Sequence, residues 1–295
     1  MVELERCRLF AATSSLFPRL RDIPPLPTPS HTQELLDMST ILFPSPIFGP
    51  VDSRRLGVSL GVNLLPSDGK LCTFDCIYCE CGFNGDTKPK LRIPTREKVA
   101  EVLEQKLQAM EQEGRGPDVI TFAGNGEPTM HPDFPGIIDD TIALRNHYFP
   151  NAKISVLSNA TYCHQPAVHE ALRRVDNNIL KLDTLSNEYI TLVDRPVLKY
   201  DAEEMVERLC AFEGKVQVQT LFMSGEYQGQ SVDNTADVYV QPWLKALARI
   251  RPEAVYIYTI DRETPAKGLR KASPEVLDAI GERVKALGLE CSVSY

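Results

Sequence analysis

The 295-residue chain has only five histidines, and none stands beside a serine or cysteine nucleophile motif, so a hydrolytic triad has no support. No G-x-G-x-x-G opens a helix after the first apolar strand, which removes the usual dinucleotide-binding fingerprint. No stretch approaches the ~18 uninterrupted apolar residues of a membrane span. Positive charge is in deficit: 32 Lys and Arg against 40 Asp and Glu give a formal net charge of −8. A chain so acidic has no global draw toward nucleic acid or anionic lipid. Internal repeats and low-complexity tracts are also missing. At the N-terminus Glu3 and Glu5 spoil the basic region of a signal peptide, so a cytoplasmic location is the expectation. Composition is otherwise that of a globular protein, 43% hydrophobic and 24% charged.

Residues 22–31 carry four prolines in ten positions and read as an extended strap. Residues 1–45 are therefore expected to form a Pro-rich, poorly ordered arm, and 46–295 the core domain. From residue 57 a rhythm of short apolar runs and amphipathic segments begins. Strands are expected at 57–65, 118–124, 154–159, 179–185, 216–222 and 254–260. Helices are expected at 95–113, 133–146, 165–175, 202–213, 234–250 and 274–287, with Thr95 capping the first, and a short strand at 291–294 ends the chain. Six strand–helix pairs in alternation argue an α/β domain with a parallel sheet. A partial (β/α)6 barrel is the favoured architecture, and a doubly wound open sheet competes with it. Both place chemistry at the C-terminal ends of the strands.

Cysteine is plentiful, and four of the eight fall within ten residues: Cys72, Cys76, Cys79 and Cys81. Clustering in a large chain reads as a metal or redox site in a reducing compartment rather than a disulfide framework. The spacing C-x3-C-x2-C of the first three suits a loop wrapped around a cuboidal iron–sulfur cluster, with one iron left for a small molecule. A structural zinc site with Cys81 as fourth ligand is the alternative, although its usual pair of separated C-x2-C knuckles is missing. At the end of the second strand, Gly124-Asn125-Gly126-Glu127 offers backbone for close approach and a carboxylate for an ammonium group; a capped glycine turn explains it equally. Ser158 and Asn159 end the third strand, as ligand contacts or as a cap. Lys181 and Asp183, two apart in the fourth, share a face as a functional or merely structural pair. Asp261 and Arg262 end the sixth, facing substrate or forming a surface ion pair.

The cysteine spacing, with Tyr78 before the last cysteine and a Gly/Glu motif one strand later, resembles the radical S-adenosylmethionine (radical SAM) superfamily over residues 46–294. The resemblance implies a [4Fe–4S] cluster on Cys72, Cys76 and Cys79. SAM would chelate the fourth iron, with Gly124, Asn125, Gly126 and Glu127 at its amino group and Tyr78 beside its adenine. Ser158 and Asn159 would meet its ribose or carboxylate. Reductive cleavage of SAM would yield a 5′-deoxyadenosyl radical that takes a hydrogen atom from a small molecule or a protein side chain. A low-potential donor such as flavodoxin or ferredoxin would supply the electron. Candidate catalytic residues are Cys163, Lys181, Asp183, Asp261 and Arg262; an isolated cysteine such as Cys163 is more often a small buried hydrophobe.

Within the superfamily, residues 48–66, the Asp194-Arg195-Pro196 triplet and the 260–269 stretch are similar to a group of stand-alone proteins related to wyosine-type tRNA-modifying synthases. A tRNA substrate is thus a second reading and a non-catalytic zinc or iron–sulfur binder a third. The best local basic patch, Lys88, Lys90, Arg92, Arg96 and Lys98 with Asp86 and Glu97 interspersed, could rim the site together with Arg54 and Arg55, but a solvated surface is the simpler explanation.

Overall fold

The computed structural model describes residues 40–53, 57–86 and 88–295. The expected proline-rich arm, together with Arg54 and Arg55, lies outside the described residues except for its last few positions.

Strand β1 (Ile47–Ser53) runs antiparallel to β2 (Gly57–Val62). The chain continues through α1 (Arg96–Gln112), β3 (Val119–Phe122), α2 (Phe134–Tyr148), β4 (Lys153–Ser158), α3 (Pro166–Arg174) and β5 (Asn177–Lys181). Next come α4 (Asn187–Val193), α5 (Ala202–Cys210), β6 (Gln217–Leu221), β7 (Met223–Tyr227), β8 (Gln230–Ser231), α6 (Asp237–Ile250) and β9 (Ala254–Tyr258). Finally β10 (Leu269–Lys271), α7 (Pro274–Lys285) and β11 (Cys291–Ser294) complete it. The six expected helices and six expected strands are present. Thr95 caps α1 by accepting from the Lys98 amide.

The main sheet has the order β1-β2-β3-β4-β5-β6-β9-β11, and β2 through β11 are parallel along it. Neighbours in space follow chain order with no reversal. A doubly wound sheet needs a switch point where the order inverts; this sheet winds one way, as a partial TIM-like barrel does. The seventh parallel strand, β11, pairs only with β9. Strands β3 and β6 are buried at every position, as expected of parallel strands covered on both faces. Helices contribute the other layer: Val99, Leu103, Leu107 and Met110 of α1 and Trp243, Leu244 and Leu247 of α6 join one large core.

Within the barrel the strands carry polar side chains that bond across the sheet. Ser59 meets Thr121 at 2.8 Å, Asn177 donates to Ser155 at 2.8 Å, and Gln217 donates to Asn177 at 3.2 Å. Lys181 shares the face of Asn177, four positions on. A smaller apolar cluster of Ile77, Tyr189, Val193, Leu221, Met223, Val232 and Ala266 forms a separate group. It seats the cysteine loop on α4 and on the small sheet of β7, β8 and β10.

Candidate active site

Beyond β2 the chain enters the loop that carries Cys72, Cys76 and Cys79. All three are free thiols, Cys76 buried and the other two partly exposed. Leu71 bridges to Gly126: its amide donates to the Asn125 carbonyl at 2.9 Å, and its own carbonyl accepts from the Glu127 amide at 3.2 Å. Gly126 has φ +137°, and a Cβ there would stand 1.8 Å from the Leu71 oxygen. Only glycine lets the two loops meet. The two motifs separated by a helix in sequence are thus one structural unit.

The second motif is occupied by structural bonds. The Asn125 side chain accepts from the Phe43 amide and donates to the Phe43 and Pro66 carbonyls. Glu127 is fully buried, and its carboxylate accepts from the Thr129 amide and hydroxyl, from the Ser158 hydroxyl at 2.8 Å and from the Asn159 amide at 2.6 Å. Burial pushes its carboxyl above the ordinary value. Glu127 therefore locks the end of β3 to the end of β4. Asn159 continues the line toward the cysteines, its side-chain amide 3.5 Å from the Cys72 sulfur and 2.8 Å from Thr73 Oγ1. The Phe74 amide also donates to the Cys72 sulfur, at 3.4 Å.

Tyr78 points into a buried ion cluster. Its hydroxyl donates to Asp183 at 2.7 Å and Asp194 at 2.9 Å. Lys181 bonds Asp183 and the Tyr78 hydroxyl and lies 3.2 Å from Asp194. The expected Lys181–Asp183 pair is thus a buried tetrad whose fourth member, Asp194, was named only within a family-like triplet. Burial pushes the Asp194 carboxyl up to about 6, with Lys181 opposing that shift.

Asp194 and its neighbours also lace the cysteine loop. The Ile77 amide donates to the Val193 carbonyl, the Asp75 amide to the Asp194 carbonyl, and the Val197 amide to the Thr73 carbonyl. Arg195 pairs with Asp75 at 3.3 Å.

Lys70 carries no signal in its sequence context and was missed. It is 2% exposed. Its ammonium donates to the Gly82 carbonyl at 2.9 Å and lies 3.8 Å from Asp75. Burial holds the Cys72 thiol up to about 12 and Cys76 well above its usual value. A hydrogen bond from Cys81, followed by the Lys70 charge, holds Cys79 down to about 5.

The other candidates fall elsewhere. Cys163 is buried in the main core, its thiol pushed up to about 12 by burial. Arg262 pairs with Glu80 of the cysteine loop at 2.8 Å, and Asp261 with Lys271 at 3.3 Å, both at the surface. Arg262 nonetheless rims a cleft of about 530 Å³ lined by Cys79, Glu80, Ile260, Thr264, Lys267 and Leu269 among others. Of the basic patch, Arg96 is engaged by Asp140 and Lys98 by Glu101. Among the described residues no three His, Cys, Asp or Glu side chains converge as ligands of a single metal ion do, and none of the helices is long and apolar enough to cross a membrane.

The donor set fits an iron–sulfur cluster: three free thiols on one loop, two N–H groups directed at Cys72, and a buried cation, Lys70, bonded to the Gly82 carbonyl while Gly82 bonds back to Cys79. Asp75 is shared between Lys70 and Arg195, so the buried Lys70 ammonium is only partly compensated by it, and an anionic cluster would add to that compensation.

Comparison with known proteins agrees. The profile of the Radical SAM superfamily matches residues 67–233, which include the cysteine loop and the Gly124–Glu127 motif. A UPF0026 protein of Helicobacter pylori is 31% identical over 235 residues, covering 78% of this chain and 71% of its own. A UPF0026 protein of Methanocaldococcus jannaschii is 26% identical over 239 residues, 79% and 69% of the two chains. Among solved structures, a radical SAM methyltransferase from Sphaerobacter thermophilus superposes with a TM-score of 0.59 at 14% identity, over 80% of this chain and 66% of that one. Streptococcus suis SuiB bound to S-adenosylmethionine gives 0.53 at 13% identity, over 80% and 46%. Those two likenesses speak for the fold alone. The superfamily profile matches more than half of the sequence, with the cysteine loop at the mouth of the barrel: this chain belongs to the radical SAM superfamily and is a radical SAM enzyme.

Proposed function

We propose that the chain holds a [4Fe–4S] cluster on Cys72, Cys76 and Cys79, cleaves SAM reductively, and takes a hydrogen atom from a small molecule or a protein side chain. The observation that carries this reading is the unbroken line of bonds from Glu127 through Asn159 to Cys72, which ties the Gly/Glu motif to the cysteine loop at one end of the sheet. When bound, the cluster and SAM supply the electron transfer and the carbon radical.

The protein's own residues position and enclose. Asn159 and the Phe74 amide orient the Cys72 sulfur. Gly126 and the 193–197 segment fix the loop from two sides. The Tyr78–Lys181–Asp183–Asp194 tetrad anchors the loop from below, with each polar group partnered as burial requires. The cleft beside Cys79 has the volume of a small-molecule pocket and supports a substrate of that size or an inserted side chain. Flavodoxin or ferredoxin is the class of electron donor.

The test is metal loading. Wild-type chain reconstituted anaerobically should bind about four irons and four sulfides. Alanine at Cys72, Cys76 or Cys79 should abolish the cluster, and Cys81→Ala should keep it. A wild-type chain that takes zinc and no sulfide, or that loses its cluster with Cys81, contradicts the ligand assignment.

A further inference from the structure

Two lysines are buried at this end of the barrel, and they are compensated differently. Lys181 stands against two carboxylates, Asp183 and Asp194. Lys70 has Asp75 at 3.8 Å, and Asp75 is also bound by Arg195 and accepts from the Asn84 amide. Asp75 is thus shared with Arg195, whose side chain is one third exposed, whereas the Lys70 side chain is 1% exposed. Its ammonium is fixed by the Gly82 carbonyl at 2.9 Å, and Gly82 itself donates to the Cys79 carbonyl at 2.9 Å. Lys70 is therefore anchored to the cysteine loop through Gly82 and buried away from water that would screen it.

We propose that Lys70 is a positioning residue whose ammonium serves as counter-charge to the iron–sulfur cluster and raises its reduction potential. The inference rests on the cluster assignment made above. Reduction adds one electron to a group already carrying three thiolates. A fixed cation nearby stabilises the reduced form more than the oxidised one, and net charge near a cluster is one of the factors that set its potential. In a chain of net charge −8 such a local cation offsets the acidic surroundings and keeps the cluster within reach of a low-potential donor. Lys70 takes no part in bond making. Its effect is read in the potential and not in the products.

The experiment uses the full chain, reconstituted anaerobically as wild type and as Lys70→Met, Lys70→Gln and Lys70→Arg. Iron and sulfide are counted, secondary structure is checked by circular dichroism, and the cluster is titrated against redox mediators while its reduced signal is followed by electron paramagnetic resonance. The glutamine variant keeps a donor for Gly82 without the charge. The account expects the potential to fall in the Met and Gln variants by enough to lower the reduced-to-oxidised ratio about tenfold at fixed solution potential, about 59 mV for one electron. The arginine variant should stay near wild type. Loss of the cluster in both neutral variants with retention in arginine, all three folded, supports the same counter-charge. Unmoved potential in fully loaded Met and Gln variants overturns the proposal, as does cluster loss in all three. A wild-type chain without a cluster contradicts the assignment beneath it, a different result from an unmoved potential.

Discussion

Gly126 is the residue on which the two motifs hinge. With φ +137° and 1.8 Å between its would-be Cβ and the Leu71 carbonyl, Gly126→Ala forces the loops apart. Backbone strain and overpacking together should cost about 2–5 kcal/mol, read as a lower denaturation midpoint together with reduced iron uptake. Gly85→Ala, where nothing lies within 4 Å, should do neither. Lys181 gives a second case. Lys181→Met leaves two buried carboxylates without their cation, a loss of about 3–5 kcal/mol. Asp194 gives the tetrad a pH signature. Its folded-state value, pushed up to about 6 by burial, lies above the unfolded one near 4. The folded chain thus holds an extra proton between those values, and its stability contribution falls as pH rises through that window. Chemical denaturation of the apo chain across that range should show the slope in wild type and lose it in Asp194→Asn.

The cysteine loop and the 193–197 segment behave as one element. Three backbone bonds and the Arg195–Asp75 pair join them, so amides of Asp75, Ile77 and Val197 should exchange with solvent together. Asp194→Ala should speed exchange in 73–77 while leaving the main-core helix α6 unchanged; exchange that stays slow in 73–77 would show that the segment does not hold the loop. This lacing was legible only in part. The strand–helix alternation could be read because buried parallel strands are continuous apolar runs, and the cysteines because their spacing is chemically specific. Strand β1 was missed because Pro46 and Pro50 broke its pattern, and α4 because seven residues are too few for a helical period to register. Lys70 escaped notice because a lone lysine in a loop reads as solvated surface, and only the fold shows it enclosed. Asn125 and Glu127 were read as ligand contacts or as a capped glycine turn, and their bonds in the structure run to backbone and hydroxyl groups.

Among the described residues the main sheet is a partial, mostly parallel barrel with the cysteine loop at one end, in a chain of acidic overall charge. Alternation made a parallel α/β sheet readable and left a doubly wound sheet competing with the favoured barrel until the sequential strand order decided it, whereas the β7–β8–β10 sheet was not readable, since β10 joins β7 only after some forty intervening residues. Net charge and the engagement of Arg96 and Lys98 by carboxylates argue against a large RNA partner. Binding of mixed tRNA, followed by fluorescence anisotropy at about 150 mM salt, should be undetectable at micromolar protein; salt-sensitive micromolar binding would revive the tRNA reading. The central claim is tested most directly by incubating the reconstituted, dithionite-reduced chain with SAM under argon and assaying 5′-deoxyadenosine by chromatography. The account predicts product that requires the reductant and disappears when Cys72, Cys76 or Cys79 is alanine. A fully loaded, reduced cluster that leaves SAM intact, with and without candidate substrates, would contradict it.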